Sequence, residues 1–131
     1  PHMDFYTLVR PEHLNHYGYL FGGCMLKWVD EYAYITALRE FPSCRLVTRA
    51  MDAASFTQSV NNGALLRFRV CRIHLGRTSA TYRVTVVARD FQANDVYPVF
   101  EISVTMVSIS ADGKKSPLPE PIVTGDGSDC D

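Results

Sequence analysis

The chain has almost no net charge. Lysine and arginine number 13 against 14 aspartates and glutamates, a formal balance of −1 in 131 residues. That removes the basic footprint a nucleic-acid binder needs, and the basic patch that would draw it to an anionic membrane surface. No apolar run is long enough to cross a bilayer, and no signal peptide is recognisable, so a cytoplasmic protein is expected. The four cysteines, Cys24, Cys44, Cys71 and Cys130, contain no Cys-x-x-Cys pair. They are expected to be reduced, forming neither a disulfide frame nor a zinc site. His13, His16 and His74 lack the spacing of a metal site, and His2 is set aside with Pro1 and Met3 as an expression-vector remnant. No Ser-His-Asp or Cys-His arrangement can be read, and no internal repeat is present. What remains is one domain with room for one core.

One stretch stands out, from Asn15 to Glu31. Asn15 and Gly18 suit a turn. Phe21-Gly22-Gly23 then leads into an apolar run, from Cys24 to Arg39, that is too long for a strand. Met25, Trp28, Val29, Tyr32, Ala33, Ile35, Thr36 and Leu38 cover more than one stripe, so the helix is expected to be largely buried. It stops before Pro42, which disfavours helical geometry at the residue ahead of it. Glycines at the helix start leave N–H groups without an intrahelical partner, where the helix dipole adds positive potential. That is a place for an anion or an oxyanion. Asp30-Glu31 is the carboxylate pair of this helix. Glu31 reads as a solvated residue. Asp30, flanked by Val29 and Ala33, reads as buried, which is costly unless something pairs with it or uses it.

The rest of the chain alternates as strands do. Phe5 to Arg10 is a short strand, and Pro11 to Leu14 a turn or one helical turn. Arg45 to Phe56, Ala64 to Leu75, Thr78 to Ala88 and Val96 to Ile109 follow as strands. Asn61-Asn62-Gly63, Gly76-Arg77 and Asp90 to Asp95 connect them. Residues 111–131, rich in Gly, Ser, Pro, Asp and Lys, read as a tail that is at least partly disordered. Residues 4–110 form the domain. One long helix followed by four antiparallel strands predicts an α+β layer, a curved sheet wrapped on a central helix. One helix cannot protect the edges of such a sheet, so a self-associating dimer is expected.

Asn15-x-x-Gly18-x-Leu20-Phe21-Gly22-Gly23 followed by Leu26-x-Trp28-x-Asp30-Glu31-x-Ala33 resembles the signature of hotdog-fold acyl-CoA thioesterases. Val47-Thr48-x-Ala50-x-Asp52-x-x-x-Phe56 and Gly76-Arg77-Thr78-Ser79 resemble later elements of that family, and the likeness spans roughly residues 6–110. It implies a hotdog fold and hydrolysis of acyl-CoA to a carboxylic acid and coenzyme A, with no cofactor beyond the coenzyme A of the substrate. It also implies sheets paired edge to edge in a homodimer, a site between subunits, and a hexamer or tetramer. Arg49 stands where the family mostly has a small apolar residue.

For thioester hydrolysis, the resemblance assigns Asp30 as general base or nucleophile. The Gly22 and Gly23 N–H groups would form the oxyanion site. Asn15 would orient water or the carbonyl, and Thr48 would hydrogen-bond near the carboxylate. Phe21, Arg77, Thr78, Ser79 and, second among the arginines, Arg72 would meet the substrate and its phosphates. Asp30 lies roughly 10 Å along the helix axis from the glycines, too far for one helix to hold both around one carbonyl. A second subunit would close that distance. Two other readings stay open: an acyl-carrier-protein thioesterase, and an acyl-CoA-binding module without turnover. A dehydratase of this fold uses a helix-associated His, and none occurs between Gly18 and Val70. Cys24, beside the glycines, reads as a packing residue.

Overall fold

A computed structural model describes residues 2–91, 95–123 and 130. Five strands form one antiparallel sheet, and a single long helix packs on one face of it. The elements run β1 (His2–Leu8), a 3₁₀ turn (Pro11–His13), α1 (Gly22–Glu40), β2 (Arg45–Phe56), β3 (Leu65–Leu75), β4 (Ser79–Arg89) and β5 (Val96–Ile109). The sheet order is β1-β3-β4-β5-β2, so β1 and β2 are its edges. The α+β expectation and the hotdog arrangement therefore hold.

Strand alternation sets the layers. Leu66, Phe68 and Val70 of β3 turn toward the helix with Tyr82, Val84 and Val86 of β4. Ile102, Val104 and Met106 of β5 complete that face. Polar partners such as Arg67, Arg69, Arg83 and Thr85 occupy the other face. Ile73 drops out of the pattern because the β3–β4 register shifts between Arg72 and His74, and its side chain is exposed. Gly63 takes φ +87° in the turn before β3, a conformation that excludes most side chains.

Four expectations need correction. The helix is not largely buried. Met25, Val29, Ala33 and Ala37 form one buried row at four-residue spacing, while Leu26, Tyr34 and Leu38 are exposed. The first strand covers His2–Leu8 rather than Phe5–Arg10, so His2 and Met3 open β1. Asp30 is only half-buried, and the helix's buried carboxylate is Glu40. The cysteines are not all reduced: Cys71 is disulfide-bonded to Cys130, 59 residues away. Connectivity over that separation leaves no local sequence pattern to read.

Residues 111–123 run back over the domain. Ser116 N donates to Ser108 O, Leu118 N to Arg77 O and Ile122 N to Glu40 O. Leu118 packs against the core. The parts of the expected tail at 124–129 and 131, and of the expected loop at 92–94, lie outside the described residues.

Candidate functional site

The turn before α1 is held by Asn15. Its Oδ1 accepts from the backbone N–H of Tyr17 at 2.9 Å and of Tyr19 at 3.1 Å. Gly18, at φ +87°, lets the chain reverse so that Asn15 N can donate to Tyr19 O at 2.7 Å. Phe21 N then donates to His13 O, which fixes where the helix begins. Phe21 is the N-cap and supplies no side-chain cap bond; its carbonyl takes Cys24 N and Met25 N. The N–H groups of Gly22 and Gly23 therefore find no acceptor among the described residues. They face outward with the dipole's positive end behind them.

A side chain at one of the two positions would displace the exposed Phe21 ring. A Cβ on Gly23 would lie 2.6 Å from Cε1 of Phe21, whereas one on Gly22 would meet Phe56 Cζ at 3.5 Å. Asn15, Gly22, Met25 and Phe56 line an open cleft of about 430 Å³ at this helix start. The Asn15 side-chain NH₂ makes no hydrogen bond among the described residues, so it can still donate there.

Asp30 sits two turns further along, where α1 passes β2. Thr48 Oγ1 donates to Asp30 Oδ1 at 2.5 Å. No hydrogen bond to Asp30 Oδ2 is found among the described residues, which leaves one carboxylate oxygen open. Eight residues separate Asp30 from Gly22, or about 12 Å of helix. Within one chain, the oxyanion-type donors and the carboxylate do not meet around one atom.

The arginine candidates divide. Arg72 donates to Glu40 Oε2 at 2.9 Å. Tyr82 donates to Glu40 Oε1 at 2.6 Å. Burial first, and then the Glu40 carboxylate, push the Tyr82 phenol far above its ordinary range. Arg72 is thus committed to a buried cluster. Arg77 is exposed on the β3–β4 hairpin with Thr78 and Ser79 half-buried beside it. Ser79 aligns with Val107 of β5, whereas Phe56 aligns with Phe100. Seven β5 residues, about 23 Å of strand, separate this hairpin from the Gly22 cleft in the same chain.

Phe21 is more than half exposed, with its ring against Gly23. Arg49 is exposed at a β2 bulge, where the register with β5 slips between Thr48 and Ala50. His13 accepts from Arg10 N through Nδ1 and meets Trp28 edge-on, so it serves packing. Among the described residues no three His, Cys, Asp or Glu side chains gather as a metal site would require. Glu40 was the residue missed in sequence. Its signal was there: it falls three residues after Ala37 and seven after Ala33, in phase with the buried row.

Comparison with known proteins follows the same geometry. A family model described as the thioesterase superfamily matches residues 17–92. Protein VdlD of Helicobacter pylori is 27% identical over 113 residues, 86% of this chain. The chain spans 64% of the length of that relative. An apo-hexameric acyl-CoA thioesterase superposes with a TM-score of 0.84 at 31% identity, covering 91% of this chain and 76% of that one. A hexameric hotdog-fold thioesterase of Campylobacter jejuni superposes with a TM-score of 0.80 at 30% identity, covering 88% of each chain.

Proposed function

Because the chain belongs to the thioesterase superfamily, we propose that it hydrolyses acyl-CoA thioesters to a carboxylic acid and free coenzyme A. The observation that carries this reading is Asp30, with one oxygen held by Thr48 and the other open. A carboxylate so placed acts as general base on water, or attacks the thioester carbon itself. In either case negative charge develops on the carbonyl oxygen. The bare N–H groups of Gly22 and Gly23 stabilise that charge without reorganising. The Asn15 NH₂, on a residue that lines the same cleft, holds the carbonyl or the water.

The catalytic unit in this reading is a homodimer. Among the described residues β2 pairs with β5 and no other strand, which leaves its outer edge for the same strand of a second chain. The Gly22–Gly23 donors of one subunit then act with Asp30 of the other, which removes the separation of about 12 Å. Two solved thioesterases that this chain resembles are named as hexamers, and a hexamer built from three such dimers is the assembly proposed here. A neighbouring chain would also bring Arg77, Thr78 and Ser79 within reach of the coenzyme's phosphates, a role Arg72 can share only by leaving Glu40. A coenzyme A thioester substrate supports a cytoplasmic location, where the Cys71–Cys130 bond would have to resist cellular thiols.

The test is release of free thiol from a panel of acyl-CoA esters of increasing chain length, run beside the matching acyl-carrier-protein thioesters. Turnover of at least one acyl-CoA, abolished in Asp30→Asn, is the expected result. Hydrolysis of carrier-protein thioesters alone would move the substrate class. Absence of turnover with tight coenzyme A binding would make the chain a binding module.

A further inference from the structure

Beside the buried row of α1 runs a second row at the same four-residue spacing: Gly22, Leu26, Asp30, Tyr34 and Leu38. Its large apolar members, Leu26, Tyr34 and Leu38, are each more than a third exposed. The start and middle of this row lie against β2. Thr48 of β2 donates to Asp30, and Phe56 of β2 is the neighbour that a Cβ on Gly22 would meet. Beyond β2 no further strand is found among the described residues. An apolar helix row and an unpaired strand edge therefore open side by side, and a single chain covers neither.

One occupant suits both, a second copy of this chain, because the row carries both halves of the site. A two-fold axis sets two copies of the helix antiparallel. The axis that brings Gly22 against the partner's Asp30 passes midway between those positions, at Leu26. The strand places the axis by a separate set of contacts. Thr48 marks Asp30 on β2 and Phe56 marks Gly22, so Thr48 must lie opposite the partner's Phe56. Midway between them is Asp52. Asp52 aligns with Ser103 on the face away from the helix, so one axis through the sheet passes by Leu26 on one side and Asp52 on the other. Further out, Tyr34 lies about 12 Å along the helix from Leu26. That carries it past the partner's helix start to the turn where Tyr17 and Tyr19 are exposed. Asp52 then faces its own copy, a like-charge cost that the apolar row and the strand pairing must exceed.

We propose that this helix row and the β2 edge form one self-association surface, with its two-fold axis at Leu26 and Asp52. This register rests on the shared site proposed above and fixes what that reading leaves open, namely which residues meet their own copies.

Cysteines placed at the axis read the register. Directly opposed residues of an antiparallel pair have Cα atoms about 4.5–5.5 Å apart, inside the range a disulfide spans. Asp52→Cys should therefore join to its own copy under mild oxidation and run as a covalent dimer. The background carries Cys24→Ser and Cys44→Ser, which removes the free thiols. Leu26→Cys should join through a short bifunctional maleimide. Leu38→Cys should do neither, because it and its copy would stand about 36 Å apart along the helices. Wild type supplies a second readout that needs no variant to fold. The β2 amides that β5 leaves unbonded should exchange slowly with solvent deuterium, with protection centred on Asp52. Covalent dimers at Asp52 and Leu26 but not at Leu38 support the register, whether or not acyl-CoA is hydrolysed. No covalent dimer at Asp52, cross-linking at Leu38, or unprotected β2 amides in a chain that is dimeric by native mass measurement overturns the register and leaves hydrolysis to its own assay. A chain that stays monomeric overturns it too, and turnover by that monomer would overturn the shared site with it.

Discussion

The Thr48 hydroxyl donates to Asp30 Oδ1 at 2.5 Å, joining the middle of α1 to the free edge strand β2. A helix carboxylate is thereby aimed by a residue on a different element. If Asp30 performs the chemistry, Thr48 sets which of its oxygens faces the substrate. Asp30→Asn and Asp30→Ala should then lower kcat by about 10²–10⁴-fold, with circular dichroism and melting temperature close to wild type. Near-normal turnover would shift the assignment to Glu31.

Thr48→Ala tests the positioning separately. A hydrogen bond to a charged group is worth about 1.5–3 kcal/mol, so kcat should fall about tenfold or more. KM should move little, because Thr48 aims the base and does not hold the coenzyme. Thr48→Ser keeps the hydroxyl and should recover most of the rate. Equal losses in Thr48→Ser and Thr48→Ala would mean that the methyl packing matters and the hydrogen bond does not.

Glu40 fastens the end of α1 to the sheet. Its oxygens receive Arg72 and Tyr82 while the residue is only 8% exposed. Glu40→Ala leaves the Arg72 charge and the Tyr82 hydroxyl without their acceptor. A loss of about 3–5 kcal/mol in chemical unfolding is expected. Glu40→Gln, which still accepts from Tyr82, should cost less. If Glu40→Ala unfolds at the wild-type urea midpoint, the cluster contributes nothing net.

Asp4 gives a pH dependence whose sign can be worked out. The hydrogen bond from Arg69, against some desolvation, holds its carboxyl below the ordinary value of 3.8. A depressed folded pKa means that the unfolded state takes up a proton first as pH falls. The stabilisation is present at neutral pH and disappears as pH drops from the ordinary value through the depressed one. Asp4→Asn should therefore be less stable than wild type at pH 7, and the two should converge below pH 3.8. A gap that stays constant from pH 7 to pH 3 would rule out the ion pair as its cause.

The Cys71–Cys130 bond closes a loop across 59 residues of sequence. Chain-entropy arguments attach about 4 kcal/mol to a closure of that size. Cys130→Ser, or wild type treated with dithiothreitol, should unfold at lower denaturant by up to that amount. Alkylation after denaturation without reductant should label Cys24 and Cys44 only. Labelling of all four would show the bond to be open in solution.

Much of this was legible in the chain, for reasons that particular residues make plain. The bounds of β2 and β5 were read correctly because Phe41-Pro42 and the Asn61-Asn62-Gly63 turn punctuate the pattern, and because Phe100, Ile102, Val104 and Met106 keep a strict period of two. The Thr48–Asp30 contact was expected from the motif and is present. Other features depend on contacts that no window of sequence contains. Leu38 looks like a core residue in sequence, yet the sheet covers one row of the helix, and Leu38 is exposed with Leu26 and Tyr34. Asp30 has apolar sequence neighbours but turns toward β2, while Glu40, with Arg39 beside it, lies in phase with the buried row. A disulfide over 59 residues depends wholly on where the chain ends return.

The sharing of a site between subunits makes the most demanding prediction. In one chain the Gly22 donors and Asp30 lie about 12 Å apart along α1, and nothing in the fold bends the helix to bring them together. If the site is composite, each half can be disabled in a different chain and recovered by mixing. Asp30→Ala removes the base. Gly23→Leu is chosen to obstruct the donor end: its side chain displaces the Phe21 ring, which a Cβ alone would meet at 2.6 Å, and fills the space beside the N–H groups. Each variant alone should be inactive. Unfolded together and refolded, they should form mixed dimers in about half of all pairings, each with one intact site of two, so activity should approach about a quarter of wild type. Distortion around Gly23 lowers that ceiling without changing the direction. Native mass measurement on the same sample shows whether mixed dimers formed. Mixed dimers with no recovered turnover would mean that each chain completes its own site, and the edge-paired arrangement of β2 would then have to place Asp30 differently.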